Sequence, residues 1–378
     1  MVDVAIITEG ISDLSKVGGV SSWLRDLIKG LHQISFSIIN FTFEENSLNK
    51  SGSSLPNLKS FNNVLLKNYP LNTNQIEDTL KNSKLLTAKI YHATSTGCAS
   101  LCGMYLSKLE NKPFILTEHV IYWKEAQETN ELECGIEVSK KITNELKTIA
   151  KRAYKEARAI TTPTDFTRDI QIREGANSTK CTVINNGVDP AEFKFSYRFP
   201  IERIGFVGRI TRIKNIEKIV KIWKVMSYGK PHLKFFIIGP IEDLVYYNEL
   251  KKLINSLNLA PKTEFIECTK REEWTNYIDA LFLASKMETQ PYVVLEALSS
   301  GILTIVPNVG GLSETVRDTG IVYDIKAKDK EVANEIENLI FREEYLRRKI
   351  LKGKKLIEEI YNINKMLDKY DRLYKKFL

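Results

Sequence analysis

Residues 280–297 read ALFLASKMETQPYVVLEA, and this stretch decides the fold of the second half of the chain. Its first five residues, Ala280–Ala284, are apolar without alternation, which is typical of a parallel strand covered on both faces. Pro291 suits the first turn of a helix, so we expect residues 289–292 to form a helix N-terminus. The stretch therefore reads as strand, loop and helix, the repeating unit of an α/β fold.

That helix end is also a predicted anion-binding site. The first backbone N–H groups of a helix have no partner inside it, and the helix dipole adds about half a positive charge there. Glu288 stands just before the helix and Glu296 lies further along it. Carboxylates beside a diphosphate make sense as acceptors for hydroxyl groups, one for a sugar and one for a ribose. The stretch therefore predicts a site for a sugar nucleotide.

Apolar runs alternate with longer amphipathic segments along the chain, which predicts two open, doubly wound parallel sheets. The candidate strands of the first sheet are Val2–Thr8, Phe36–Phe43, Val64–Tyr69, Lys89–Thr94, Phe114–Glu118, Ala159–Thr162 and Cys181–Ile184. Those of the second are Arg203–Val207, Lys234–Ile238, Thr263–Glu267, Ala280–Ala284, Leu303–Val306 and Gly320–Tyr323. Because open sheets bind ligands at the carboxyl ends of their strands, we expect the chemistry in the loops that follow strands.

The length of 378 residues indicates two domains. We expect a Rossmann-like acceptor-side domain over residues 1–196 and a Rossmann-like donor domain over 197–358, because a short polar stretch with Pro200 marks a boundary. We expect the final helix, residues 359–378, to cross back to the first domain. The predicted apolar face of that helix carries Ile363, Met366, Tyr370, Leu373 and Phe377.

A second polar cluster follows the strand Arg203–Val207. Gly208 lets the chain turn closely, and Arg209 and Lys214 place two cations at the carboxyl edge of the sheet. Fixed cations there would stabilise the negative charge that develops on a departing diphosphate. Taken alone, the two residues could equally be surface charges before a helix. The chain has no Asp-x-Asp pair, which disfavours a metal-dependent site of that type.

Loops of the first half carry further candidates. Gly18 and Gly19 permit positive φ and close approach to a ligand, but their spacing is not G-x-G-x-x-G, so we expect no nicotinamide cofactor. His119 follows a strand and can exchange hydrogen bonds with a sugar hydroxyl. Glu9 and His92 also lie at strand ends, where they are candidates for the acceptor side. For a lone histidine in such a loop, the alternative is a purely structural residue.

Together these motifs resemble the retaining glycosyltransferases of family 4. Those enzymes have the GT-B fold, in which two Rossmann-like doubly wound domains face an interdomain cleft. The E-x7-E pattern of the family matches Glu288 and Glu296, and residues 301 and 308–314 continue it. The resemblance implies that Glu288 holds the donor sugar, that Glu296 holds the ribose and that His119 contacts the sugar. It also implies that Arg209 and Lys214 neutralise the diphosphate.

The resemblance implies two sets of site residues. The catalytic set is His119, Glu288, Arg209 and Lys214, and the donor-binding set is Gly18, Gly19, Gly208, Arg209, Lys214, Cys268, Thr289, Gln290, Pro291, Tyr292 and Glu296. The acceptor side is Glu9 and His92, and no residue is assigned to a metal.

Several segments are similar to one subgroup, the PelF-type transferases of exopolysaccharide biosynthesis. The matching segments include residues 18–23, 92–97 and 116–119. This similarity implies a cytosolic enzyme that uses UDP-glucose or a UDP-hexosamine. The chain departs from the subgroup at Thr289 and Val120, where glycine is usual. These departures bear on which acceptor is used and on whether the protein belongs to that exopolysaccharide pathway, and they do not affect the predicted donor site.

Composition restricts the class of protein further. The net charge of +8 and the pI near 9.0 suit an anionic ligand or an acidic membrane face, while the interleaving of basic and acidic residues gives no reason to expect nucleic-acid binding. The five cysteines fit neither a zinc site nor a disulfide framework, which indicates reduced thiols. No signal peptide or membrane span is recognisable, so we expect a cytoplasmic protein, with peripheral contact to the inner membrane face or to a polysaccharide-synthase complex as an open alternative.

The sequence therefore predicts a hexosyltransferase that is metal-independent and retaining. Its partners would be a nucleotide-sugar donor and a glycan or lipid-linked glycan acceptor, with no further cofactor. Two other classes remain open on the residues alone. One is a nucleotide-sugar epimerase of similar architecture, and the other is a non-catalytic protein that binds a nucleotide sugar.

Overall fold

A computed structural model describes residues 1–11, 14, 18–42, 55–66, 72–80, 83–133, 136–268 and 270–378, with only the backbone given for residues 73, 129–133 and 136–138. The described residues form two compact units. The first comprises residues 1–186 together with 363–378, and the second comprises residues 187–362.

The first unit contains a parallel sheet, seven-stranded in the described residues, with the order β3-β2-β1-β4-β5-β6-β7. Its strands are β1 Val2–Glu9, β2 Phe36–Thr42, β3 Leu58–Leu65, β4 Ala88–Ala93, β5 Phe114–Thr117, β6 Ala159–Thr162 and β7 Cys181–Val183. The helices that accompany it are α1 Gly19–Gly30, α2 Thr73–Leu80, α3 Cys98–Glu110, α4 Tyr122–Glu133, α5 Ile136–Glu156 and α6 Asp165–Arg173. The central strands are buried almost throughout, as expected for parallel strands with helices on both faces.

The second unit contains a six-stranded parallel sheet in its described residues, with the order β10-β9-β8-β11-β12-β13. Its strands are β8 Arg203–Val207, β9 Lys234–Ile238, β10 Thr263–Ile266, β11 Ala280–Phe282, β12 Leu303–Pro307 and β13 Ile321–Tyr323. Its helices are α7 Ile216–Met226, α8 Leu244–Ser256, α9 Tyr292–Ser300, α10 Leu312–Val316, α11 Asp329–Ile340 and α12 Glu343–Glu359. The prediction of two doubly wound parallel sheets is confirmed.

The strand order of each sheet reverses once. In the first unit the reversal lies between β1 and β4, and in the second it lies between β8 and β11. At such a switch point the loops leave the sheet in opposite directions and open a crevice at the carboxyl ends of the strands. These two crevices are where ligand-binding residues are expected.

One predicted strand was misplaced. We expected Val64–Tyr69, whereas β3 spans Leu58–Leu65 and its predicted end lies outside the described residues. β3 is an edge strand, and most of its side chains are only half-buried, so it has no apolar run that could mark its start. Phe43, the predicted last residue of β2, also lies outside the described residues.

The chain ends with helix α13, Ile363–Lys375, which packs within the first unit. Its buried residues are Met366, Tyr370 and Tyr374, spaced by four, whereas Ile363, Leu373 and Phe377 are only half-buried. Of the five residues predicted for the apolar face, only Met366 and Tyr370 are therefore buried. None of the helices in the described ranges is long and apolar enough to cross a membrane.

Residues 187–196, which we expected in the first domain, pack with the second unit. The backbone N–H of Ser196 donates to the carbonyl of Ser300 at 3.1 Å. The Lys354 ammonium lies 4.9 Å from the centre of the Phe195 ring. These contacts bind the connecting segment to the end of α9 and to α12, so the second unit begins earlier than the polar stretch at 196–202.

Candidate active site

An ion pair lies at the switch point of the second unit. The ammonium of Lys214, which follows β8, is 2.6 Å from Oε1 of Glu288, which follows β11, and both side chains are largely buried. The two loops are also joined through their backbones, because the Lys286 N–H donates to the carbonyl of Ile213 at 3.0 Å. The structure thus brings together two of the predicted catalytic residues, which are far apart in the sequence.

The loop after β12 fixes the backbone of Glu288. The Gly311 N–H donates to the Glu288 carbonyl at 3.0 Å. Gly310 has a φ of +54°, and a Cβ at this position would collide with the same carbonyl. Only glycine satisfies both the left-handed backbone and the close approach. The Asn308–Gly311 segment, predicted only as part of a motif, therefore holds Glu288 in place.

Helix α9 begins at Tyr292, with Pro291 as its N-cap in an extended conformation. The helix thus starts at the last of the predicted residues 289–292, and its first turn leaves backbone N–H groups without helical partners. Thr289 and Gln290 are buried directly before it. The hydroxyl of Thr289 has no hydrogen-bond partner in the described part of the chain. Its buried donor is therefore available for a bound group.

Arg209 lies on the surface of the same loop. Its guanidinium pairs with Glu242 at 2.9 Å, and both side chains are 47% exposed. An exposed pair of this kind contributes less than about 1 kcal/mol, so it does not hold the guanidinium firmly in one place. Gly208 before it has a φ of +152°, and Gly239 approaches its carbonyl so closely that a Cβ there would collide.

Glu296 is buried on α9 and has two partners. Its Oε1 accepts a hydrogen bond from Nε of Arg271, and its Oε2 accepts one from Nε1 of Trp274 at 3.1 Å. Neither Arg271 nor Trp274 is among the site residues predicted from the sequence. No local signal marks Arg271, because its significance comes only from its contact with Glu296. Cys268 lies earlier in the same loop, and burial raises the pKa of its thiol; Thr269 lies outside the described residues.

His119 follows β5 in the first unit and packs edge-on against Trp23, with ring centroids 4.6 Å apart. Burial lowers the pKa of His119 to about 3, so the imidazole is neutral at ordinary pH. Its Nε2 is buried without a hydrogen-bond partner among the described residues. A neutral ring with an unused nitrogen can serve as either donor or acceptor, depending on the tautomer.

His92 lies in the core of the first unit. Its Nδ1 is 2.7 Å from the hydroxyl of Tyr374, and its Nε2 is 2.7 Å from the hydroxyl of Thr117. The side chain is fully buried, which lowers the pKa to about 3. The structure thus places His92 between the sheet and α13, and both ring nitrogens are engaged there.

Glu9 lies at the end of β1, at the switch point of the first unit. Its Oε1 accepts from the Ser95 hydroxyl at 2.6 Å and from the backbone N–H of Ala99 at 2.9 Å, and its Oε2 accepts from the Tyr122 hydroxyl at 3.1 Å. Because Ala99 belongs to the first turn of α3, the carboxylate stabilises that helix end.

The glycines of the first loop do not adopt the left-handed conformation that we considered. Gly18 is extended, with a φ of 179°, and Gly19 is the first residue of α1, whereas the left-handed residue is Gly10, with a φ of +70°. A Cβ at Gly19 would meet no atom of the described residues within 4 Å. Lys16 and Val17, in the same loop, lie outside the described residues.

Glu118 is a second residue that sequence reasoning missed. It is fully buried beside His119, and its carboxylate accepts from the hydroxyls of Thr96 at 2.8 Å and Tyr154 at 2.7 Å and from the Gln171 amide at 2.9 Å. Burial raises the pKa of this carboxyl. The sequence could have identified Glu118 from its position, because a carboxylate at the end of an apolar strand is expected at the ligand-binding edge of a sheet. The network fixes the end of β5, from which His119 projects.

Comparison with protein families divides the chain at nearly the same place as the structure. Residues 195–356 match the model of the glycosyl transferases group 1. Residues 2–84 and 75–179 match a domain of unknown function (DUF3492). No curated protein matches the chain in sequence.

Solved structures are similar over almost the whole chain. HepE from Anabaena in complex with UDP is 15% identical, with a TM-score of 0.72 and coverage of 99% of this chain and 100% of that one. Sucrose-phosphate synthase from Thermosynechococcus elongatus is 15% identical, with a TM-score of 0.78 and coverage of 98% of each chain. A glycosyltransferase from Rickettsia africae is 17% identical, with a TM-score of 0.70 and coverage of 99% and 98%.

These likenesses define the class of protein. The chain has the GT-B fold, with two Rossmann-like units built on parallel sheets. Residues 195–356, within its second unit, match the glycosyl transferases group 1, and the protein is a glycosyltransferase.

Proposed function

We propose that this glycosyltransferase moves a hexose from a UDP-sugar to a glycan or lipid-linked glycan, without a metal ion and with retention of anomeric configuration. The observation that carries the proposal is the buried ion pair of Lys214 and Glu288, whose charged atoms are 2.6 Å apart at the switch point of the second sheet. Glu288 lies in the loop that leads into α9. A cation, a carboxylate and the N-terminus of a helix in one crevice suit a diphosphate joined to a hydroxyl-rich sugar.

UDP as the nucleotide is supported by the structural neighbours. HepE is described in complex with UDP and with UDP-glucose. Membership of family 4 and the similarity to PelF-type enzymes of exopolysaccharide biosynthesis rest on the sequence motifs. On these grounds we propose UDP-glucose or a UDP-hexosamine as the donor.

In the proposed mechanism, the acceptor attacks on the face from which the diphosphate leaves. The bond between the anomeric carbon and the diphosphate oxygen breaks, the bond to the acceptor oxygen forms, and the acceptor proton passes to the departing phosphate. Lys214, Arg209 and the first amides of α9 stabilise the charge on the leaving group. Glu288 orients the sugar hydroxyls, and neutral His119 exchanges a hydrogen bond with one of them.

A panel of UDP- and GDP-sugars tests the proposal by thermal shift, followed by transfer assays with the best donor. A donor at 100 times its dissociation constant should stabilise the protein by about 2.7 kcal/mol. NMR of the product should show the donor's anomeric configuration, and EDTA should leave the rate unchanged. A donor sugar that is epimerised without an acceptor would identify an epimerase instead. Binding with neither transfer nor slow donor hydrolysis would identify a binding protein.

A further inference from the structure

The carboxylate of Glu296 is held from two sides inside the second unit. Arg271 donates through Nε to one oxygen, and Trp274 donates through Nε1 to the other at 3.1 Å. Glu296 is 5% exposed and Arg271 is 8% exposed. A carboxylate has about four lone-pair sites, so these two contacts fix its plane and leave acceptor capacity for further donors.

Arg271 is itself fixed by aromatic rings. Its guanidinium carbon lies 4.9 Å from the centre of the Tyr292 ring and 5.5 Å from that of the Phe193 ring. Its Nη1 also lies 3.7 Å from Oε2 of Glu192. Contacts with two rings restrict the orientation of the planar guanidinium, whose Nε faces the carboxylate, and a lysine cannot reproduce that geometry.

A buried ion pair of this kind is not retained for its stability alone, because desolvation offsets much of the attraction between the charges. Its geometry, however, presents a charged acceptor in one orientation. Two neighbouring hydroxyl groups, such as those of a ribose, are donors that match the remaining lone pairs.

We propose that Arg271 and Trp274 are positioning residues that orient Glu296 to accept the ribose hydroxyls of the donor nucleotide. This inference rests on the proposed function and on the family resemblance, which implies that Glu296 binds the ribose of the donor. It assigns the selectivity for a ribose with both hydroxyls to the Arg271–Glu296–Trp274 cluster, whereas Lys214 and Glu288 act on the diphosphate and the sugar. Loss of the hydrogen bond from Arg271 or from Trp274 should therefore weaken recognition of the ribose, without affecting how the rest of the sugar nucleotide is bound.

The test compares the binding of UDP and of 2′,3′-dideoxy-UDP by isothermal titration calorimetry. The wild-type protein should bind UDP more tightly than the dideoxy analogue by about tenfold or more, the scale of one good hydrogen bond to a charged group. In Trp274→Phe this preference should shrink to below about threefold. The loss should appear with UDP, whereas the affinity for the dideoxy analogue should stay near the wild-type value.

The control is Trp223→Phe, which makes the same change at a buried tryptophan of α7 whose Nε1 has no hydrogen-bond partner in the described residues. It should retain the full preference for UDP. Arg271→Lys provides a second variant if Trp274→Phe does not fold, and it should lose the preference in the same way.

The outcomes test the role of the Arg271–Glu296–Trp274 cluster separately from the proposed use of a UDP-sugar donor. If Trp274→Phe and Arg271→Lys weaken both nucleotides by the same factor, the cluster is structural and the inference is wrong. The inference is also wrong if the wild type does not distinguish the two nucleotides, although UDP binding would then still support the proposed function. Wild-type protein that binds no UDP at all would instead contradict the proposed donor.

Discussion

The pairing of Lys214 with Glu288 means that each charge partly cancels the other before a donor binds. A diphosphate needs the positive charge of Lys214, whereas the negative charge of Glu288 repels it. The two residues should therefore have opposite effects on nucleotide affinity, although the proposed mechanism needs both for sugar transfer. Opposite effects on nucleotide affinity would show that Lys214 and Glu288 act in one binding site, whereas charges outside the site would have no such effects.

We predict that Lys214→Met weakens UDP binding by at least about tenfold, because it removes a cation and leaves Glu288 uncompensated. Glu288→Gln should bind UDP as tightly as the wild type or more tightly. Both variants should lower kcat/KM for transfer by about a hundredfold, the scale of one oriented polar contact in a transition state. Calorimetry with UDP and initial rates with the UDP-sugar provide the measurements. Equal losses of UDP affinity in both variants would argue against the assignment.

For individual residues, the sequence indicated which ones are candidates for the site but not which residues they contact. Glu288, Lys214 and the glycines after β12 belong to motifs, so they were identified. Their contacts were not predictable, because Lys214 and Glu288 are separated by several elements and meet only at the switch point. Arg271 was missed for the same reason, since no spacing connects it with Glu296.

Helix α13 is the element that completes the first unit. It buries Tyr370 and Tyr374 against the sheet, where the Tyr374 hydroxyl pairs with His92. The ring of Tyr370 packs on Trp23 at 5.4 Å, and Trp23 in turn contacts His119. Helix α13 thus supports Trp23, against which the candidate active-site residue His119 packs.

We predict that Tyr374→Phe destabilises the protein by about 1–3 kcal/mol, because it leaves a buried nitrogen of His92 without its partner. Tyr370→Phe is the matched control on the same helix. Its hydroxyl is 3.3 Å from that of Thr117 and 3.5 Å from that of Thr161, so its removal should cost less than about 1 kcal/mol. The difference is measurable as a shift in Tm. Equal shifts would show that the contact between Tyr374 and His92 contributes little.

Elements with long apolar runs were predictable, and those without were not. Ala159–Thr162 and Lys234–Ile238 were predicted at both ends, and all their residues except Lys234 are buried. β3 was misplaced because an edge strand carries polar, half-buried residues such as Asn62 and Asn63. The face of α13 was predicted at Met366 and Tyr370, but Tyr374 was overlooked because Leu373, three residues after Tyr370, also fits the helical spacing.

On the scale of the whole molecule, the sequence predicted two domains and placed the second at residues 197–358, whereas the second unit of the structure spans residues 187–362. The two connecting segments of the second unit run side by side, since the Val188 N–H donates to the Tyr361 carbonyl at 2.9 Å and Val188 pairs with Asn362 as a parallel bridge. The unit therefore begins and ends at one place. No composition change marks this pairing, which depends on contacts between residues far apart in the sequence.

The buried histidines make the stability of the whole protein depend on pH. Burial lowers the pKa of His92 and of His119 to about 3, below the value of about 6.5 in an unfolded chain. Protons therefore bind the unfolded state preferentially between these values. The stabilisation is fully present above about pH 6.5 and is lost progressively as the pH falls towards 3, by up to about 1.4 kcal/mol per pH unit for each histidine.

We predict that His119→Phe keeps the aromatic contact with Trp23 and makes the decline of Tm from pH 6.5 to pH 4.5 less steep than in the wild type. Carboxylates also protonate in this range, but they are the same in both proteins, so the difference between the two slopes isolates His119. Scanning calorimetry at several pH values gives both slopes. Parallel curves would mean that His119 titrates normally and is therefore accessible to water. A shallower curve would show that the imidazole is kept neutral, as a hydrogen-bonding partner for a sugar requires.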